Sequence, residues 1–142
     1  MIITDINLLI YAYDQRSGFH ESARRWWEKS LSGTEVIGLS WVACLGFLRL
    51  LTNARVFENP MPVRTATGIV QSWLGRPQVR VLQAGSTHAG ILFGLLNELG
   101  TAANLTTDAH LAALAIEYQA VLHTTDTDFA RFSGLRWRNP LA

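Results

Sequence analysis

Apolar positions recur along the chain at two periods, and the changes from one to the other mark its elements. Met1-Ile2-Ile3-Thr4 reads as a short strand ending at Asp5, and Leu8-Leu9-Ile10-Tyr11-Ala12 continues as a helix or buried turn. From Phe19 to Leu31 the spacing is helical, with Ala23, Trp26, Trp27 and Leu31 on one side and Glu21, Arg24, Arg25, Glu28 and Lys29 on a solvated face. Val36-Ile37-Gly38-Leu39 predicts a second strand, and Ser40 caps a nearly all-apolar helix from Trp41 to Leu51. Residues 52–62, with two prolines, predict a loop. A helix from Val63 to Leu74 follows, then a strand Val79-Arg80-Val81-Leu82, then a helix from His88 to Leu99 stopped by Gly100.

The last third is read the same way. Thr106 and Thr107 are N-cap types for a helix through Tyr118, Ala120 to Thr124 is a buried strand, and Thr125-Asp126-Thr127-Asp128 is the turn at its carboxyl end. Asp128 to Phe132 adds one helical turn, and Leu135 to Arg138 alternates like an edge strand. Short strands alternating with helices of ten or more residues predict an α/β fold, a parallel sheet covered on both sides. No repeat or linker interrupts the 142 residues, so one domain is expected over 1–142.

Composition narrows the class. With 49% hydrophobic and only 16% charged residues, the chain has a large core and is not disordered. Helices carrying Trp26, Trp27, Trp41 and Trp73 suggest more apolar surface than one small domain buries, and hence a dimer and a groove for a partner helix. No apolar run reaches the roughly 18 residues of a membrane span; the uncharged stretch from Val36 stops at Arg49. The start Met1-Ile2-Ile3 has no basic segment of a signal peptide, and Cys44 is the only cysteine, so a reducing cytoplasm is expected. His20, His88, His110 and His123 are too scattered for a zinc pattern and read as packing or surface residues. A net charge of +1 supplies no overall basic field. Lys29 is the only lysine among 12 basic residues, a bias towards arginine that suits bidentate phosphate contacts and equally suits a compositional habit of the genome.

The acids carry the chemistry. Three of the five aspartates, Asp108, Asp126 and Asp128, fall between Asn104 and Phe129. Asp108 sits in a first helical turn in line with Leu111, Ala112, Ala115 and Ile116, so its carboxylate is expected to point inward. Asp5 and Asp126 end strands, the edge of a parallel sheet where ligands bind. Each has an ordinary alternative: Asp108 as a first-turn acid, Asp5 as a helix cap, Asp126 and Asp128 as turn residues. In combination they predict one cleft, and carboxylates crowded without His or Cys call for a hard cation such as Mg²⁺ or Mn²⁺.

The chain resembles the PIN-domain ribonucleases of the VapC toxin type along its full length. The matching residues are Asp5-x-Asn7, Thr107-Asp108-Ala109-His110-Leu111-Ala112-Ala113-Leu114-Ala115, and Thr125-Asp126-x-Asp128-Phe129 followed by Phe132-x-Gly134-Leu135-x-Trp137-x-Asn139-Pro140. The resemblance implies a three-layer α/β/α sandwich with a mainly parallel sheet, and a Mg²⁺-dependent endoribonuclease of a toxin-antitoxin pair. It also implies a homodimer silenced by a small VapB-type antitoxin. On it, Asp5, Asp108 and Asp126 hold the metal, Asp128 supports them as a fourth catalytic acid, and Asn7 and Arg49 are candidates for contact with RNA phosphate, Arg49 equally reading as a cation that snorkels out of a buried helix.

One position departs. The family carries a glutamate on the helix after the second strand, and the corresponding place falls at or next to Gly46, with no acid between Glu35 and Glu58. The alternative is therefore a catalytically weak PIN domain acting by binding RNA or antitoxin. A phosphatase of the haloacid-dehalogenase type, or a receiver domain, needs a lysine at the site, and the phosphatase needs an acid where Asn7 stands. Lys29 lies instead on an exposed helical face.

Overall fold

A computed structural model describes residues 1–142. Five strands, β1 (Ile2–Thr4), β2 (Ile37–Ser40), β3 (Val79–Leu82), β4 (Val121–His123) and β5 (Trp137–Arg138), form one sheet in the order β3-β2-β1-β4-β5, every pair parallel. Parallel neighbours need crossovers, and six helices supply those from β1 through to β4: α1 (Ile6–Tyr13), α2 (His20–Ser32), α3 (Trp41–Leu51), α4 (Val63–Leu74), α5 (His88–Leu99) and α6 (Thr106–Glu117), while a 3-10 turn over Thr127–Arg131 carries the chain from β4 to β5. The α/β/α sandwich expected from sequence is what forms, with α1 to α4 on one face of the sheet and α5 and α6 on the other.

Alternation along β1 builds both cores at once. Ile2 faces the first, where Trp27, Phe47 and Trp73 pack with Trp27 and Trp73 edge to face at 5.4 Å. Ile3 faces the second, made largely of Ala109, Leu111, Ala112, Ala113, Leu114 and Ala115 of α6. No helix is long and apolar enough to cross a membrane.

Two local expectations change, and one open alternative is decided. Neither Thr106 nor Thr107 caps α6: a 3-10 turn over Ala103–Leu105 runs straight into the helix, the cap position is Leu105, and the Thr106 hydroxyl donates back to the carbonyl of Ala103 at 2.7 Å. The expected edge strand from Leu135 shrinks to Trp137 and Arg138, the residues that face Leu122 and His123. The stretch after Asp5 resolves as a helix, because Asp5 caps it.

Candidate active site

Asp5 follows β1 directly. Its Oδ1 accepts the backbone N–H of Ile6 at 2.7 Å and starts α1, so the helix-cap reading is correct, and the buried carboxylate has a second partner besides. Parallel register sets Thr4 beside His123, so the residues that follow each, Asp5 and Thr124, are neighbours. The hydroxyl of Thr124, wholly buried, donates to Asp5 Oδ2 at 2.7 Å and accepts the N–H of Asp126 at 3.0 Å. One side chain thus ties the ends of two strands together.

Asp126 in turn caps the 3-10 turn Thr127–Arg131, with Oδ1 accepting the N–H of Asp128 at 2.9 Å. Asp128 is exposed, and Asp108 stands half-buried in the first turn of α6. The start of that helix is braced from α5: His88 Nε2 and His110 Nδ1 lie 2.9 Å apart, one donating to the other. Glu117, at the far end of α6, accepts from the N–H of Gly85 at 2.9 Å and the hydroxyl of Thr87 at 2.6 Å.

Like charges meet here. Burial, and then the carboxylates of Asp5, Asp126 and Asp128, push the Asp108 carboxyl up to about 6. Burial also raises Asp5, with Asp126 adding to it, while the donors from Thr124 and Ile6 pull the other way. All four aspartates singled out from sequence therefore act on one space. They do not stand as a closed cage: no three carboxylate, imidazole or thiol groups are close enough to hold a metal ion as they are. Mutual repulsion opposes closer approach, and the cap bonds of Asp5 and Asp126 fix those two carboxylates in place.

Those carboxylates still fit a divalent ion of the hard class. Every donor is oxygen, each carboxylate keeps unused lone pairs beside its hydrogen bonds, and Mg²⁺ commonly takes only one or two carboxylates and completes its shell with water. The neighbouring flank is different. A Cβ at Gly46 would come within 2.9 Å of Cδ1 of Ile6, the residue next to Asp5, so the helix position where an acid was expected is filled by packing. Asn7, in the first turn of α1, and Arg49, one turn beyond Gly46, are exposed and make no side-chain hydrogen bond or ion pair. By sequence pattern Thr124 belongs only to the strand. Its one sequence signal is a hydroxyl directly ahead of the Thr125-Asp126-x-Asp128 turn.

The family described as PIN domain matches residues 2–135. The chain belongs to it. Within the PIN family, Ribonuclease VapC33 of Mycobacterium tuberculosis is 50% identical over 141 residues, covering 99% of both chains. Ribonuclease VapC37 of the same organism is 42% identical over 142 residues, covering 100% of this chain and 99% of its own. Among solved structures, VapC20 of M. tuberculosis, described as a sarcin-ricin-loop-cleaving toxin, superposes with a TM-score of 0.69 at 19% identity, covering 96% of this chain and 99% of its own. VapBC2 from Rickettsia felis, bound to promoter DNA, gives 0.71 at 17%, covering 98% of both chains. At such identities the likeness is one of fold.

Proposed function

We propose that this PIN domain is a metal-dependent endoribonuclease, the toxin of a toxin-antitoxin pair with a small VapB-type antitoxin. The observation that carries the reading is the crowding of Asp5, Asp126 and Asp128 on Asp108, a charge arrangement that a divalent cation relieves. The half-identity to a VapC ribonuclease over nearly the whole chain supports the choice of RNA as substrate.

On this reading Asp5, Asp108 and Asp126 hold Mg²⁺ or Mn²⁺, with Asp128 in support. Bound there, the ion would polarise the scissile phosphate and lower the pKa of the attacking water. The protein does the rest by position. Thr124 fixes the Asp5 carboxylate against rotation, α6 delivers Asp108 from the opposite layer, and Asn7 and Arg49 offer a donor each to phosphate oxygens. The attacking water would give up a proton as its oxygen bonds to phosphorus, the P–O3′ bond would break, and the departing O3′ would take up a proton from solvent, leaving a 5′-phosphate and a 3′-hydroxyl. Trp41 and Leu45, one turn apart and exposed on α3, and Phe93, exposed on α5, leave apolar surface for a second copy and for an antitoxin helix.

Purified protein should cut RNA in Mg²⁺ and stop in chelator, and Asp108→Asn should lower the rate at least ~100-fold with the fold retained. Cleavage that survives chelation, or is undiminished in Asp108→Asn, would overturn the assignment. RNA binding without any cleavage would favour a weak PIN domain that acts by binding, the reading to which the packed Gly46 lends support.

A further inference from the structure

The largest cavity of the molecule, about 620 Å³, is not at the carboxylates. It lies on the α1–α4 side, between one flank of α2 and the strands β4 and β5, and its volume is within the ~300–1,000 Å³ that single ligands occupy. Arg25 and Lys29, one turn apart on α2, and Arg138 on β5 line it, all exposed and none in an ion pair. The one carboxylate on the lining, Glu35, faces the N-terminal ammonium at 3.9 Å. Between the cations stands an aromatic wall, Trp26 tilted at 38° against His123 with ring centroids 5.8 Å apart.

That wall adjoins the carboxylate site. His123 immediately precedes Thr124, the residue that grips Asp5, and three residues of chain bring Asp126 within about 11 Å of it. Three unpaired cations around a half-buried tryptophan match the chemistry of a single strand of nucleic acid, whose phosphates need charge and whose bases need a flat apolar face. An acidic peptide would use the cations and leave the ring without a partner.

We propose that this cavity is a subsite for single-stranded RNA, seating a base against Trp26 and its flanking phosphates on Arg25, Lys29 and Arg138, a few nucleotides from the scissile bond. The assignment rests on the ribonuclease reading for its substrate, and it gives Trp26 and the three cations a part in selecting which stretch of RNA is cut.

The test uses the full chain carrying Asp108→Asn, so that RNA stays intact, and a short unstructured RNA oligonucleotide read by fluorescence anisotropy across a salt series. Adding Arg25→Gln, Lys29→Gln and Arg138→Gln together should weaken binding ~10-fold or more and flatten the salt slope by about 2, as expected for the loss of three phosphate contacts. Trp26→Leu should weaken binding ~5- to 100-fold with the slope unchanged, and Trp26→Phe should keep most of the affinity. In the otherwise wild-type chain the triple variant should raise KM for cleavage several-fold with little loss of kcat. Unchanged RNA affinity and KM in the triple variant would overturn the subsite. So would unchanged RNA affinity accompanied by loss of an acidic protein partner, which would assign the cavity to that partner. If the wild-type chain cuts no RNA, the ribonuclease reading falls, while the anisotropy series still decides whether the cavity binds the strand.

Discussion

The two layers that cover the sheet are built on opposite principles. On the α1–α4 side, Trp27, Phe47 and Trp73 fill space with large rings, Phe47 and Trp73 meeting at 4.7 Å. On the other side α6 is buried at Ala109 and from Leu111 through Ala115, with only the half-buried His110 between them, and four of those buried residues are alanines that let backbones approach. The aromatic layer is sensitive to lost volume, and the alanine layer to added volume. Each delivers part of the site: Asp5 caps α1 in the first layer, and Asp108 begins α6 in the second. The carboxylates therefore meet across the sheet, and the strand ends joined by Thr124 are the seam.

The aromatic layer is most vulnerable at Trp73. Trp73→Ala should lose ~3–5 kcal/mol of stability, read as a lower midpoint in urea, because neither Trp27 nor Phe47 can close the void. In the alanine layer the opposite change should hurt. Ala112→Leu is expected to cost ~1–3 kcal/mol by overpacking, whereas Ala112→Gly should cost only ~1 kcal/mol, and equal losses from the two would deny that the helix is limited by space.

At the seam, Thr124→Val leaves Asp5 Oδ2 buried without its donor. A loss of ~1–3 kcal/mol and a further rise of the Asp5 pKa should follow, measured by urea titration and by carboxyl NMR.

The smallest effect separates charge from packing. In the metal-free protein the Asp108 carboxyl titrates at about 6 against 3.8 in an unfolded chain, so its proton favours the folded state. That contribution is complete below pH 3.8 and is lost as pH rises through about 6. Since the group is only half-buried, solvent screening limits the effect to about 1 kcal/mol. With chelator present, Asp108→Asn should be the more stable protein at neutral pH, and the difference should vanish in acid. His123 works in the other direction, losing stability for the fold as pH falls from 6.5 through about 4, but it is common to both proteins and cancels.

Much of this was legible in the chain. The bounds of α3, α4 and α5 match the periodic segments, because Ser40, Gly75 and Gly100 cap them, and β3 matches too, shortly after Pro77; the local chemistry of those residues is independent of the rest of the fold. The four aspartates were legible through the positions of strand and helix ends. What could not be read is what depends on partners distant in sequence. Thr124 meets Asp5 across 119 residues, and His88 meets His110 across 22. The start of α6 escaped for another reason: Ala103 takes a positive φ of 39°, a conformation no alanine advertises, and the 3-10 turn it opens displaces the threonine cap. The tryptophans misled in their turn. Trp27 and Trp73 are swallowed by the core, Trp26 is half-buried, and only Trp41 adds to the exposed apolar surface that had been expected of all four.

The contact between Gly46 and Ile6 gives the chain's descent a direction. A first mutation that enlarges residue 46 meets the terminal methyl of Ile6 2.9 Å from the new Cβ, so the Ile6 side chain has to swing aside before a carboxylate there is accommodated. A first mutation that trims residue 6 opens only a small void, which selection tolerates more readily. Lineages that gain an acid at 46 are thus expected to shorten residue 6 beforehand, and those that lose the acid to let residue 6 grow into the space. Once that growth has happened, the way back has to displace the Ile6 side chain as well as regain the acid, and the acid-free flank is the easier one to keep.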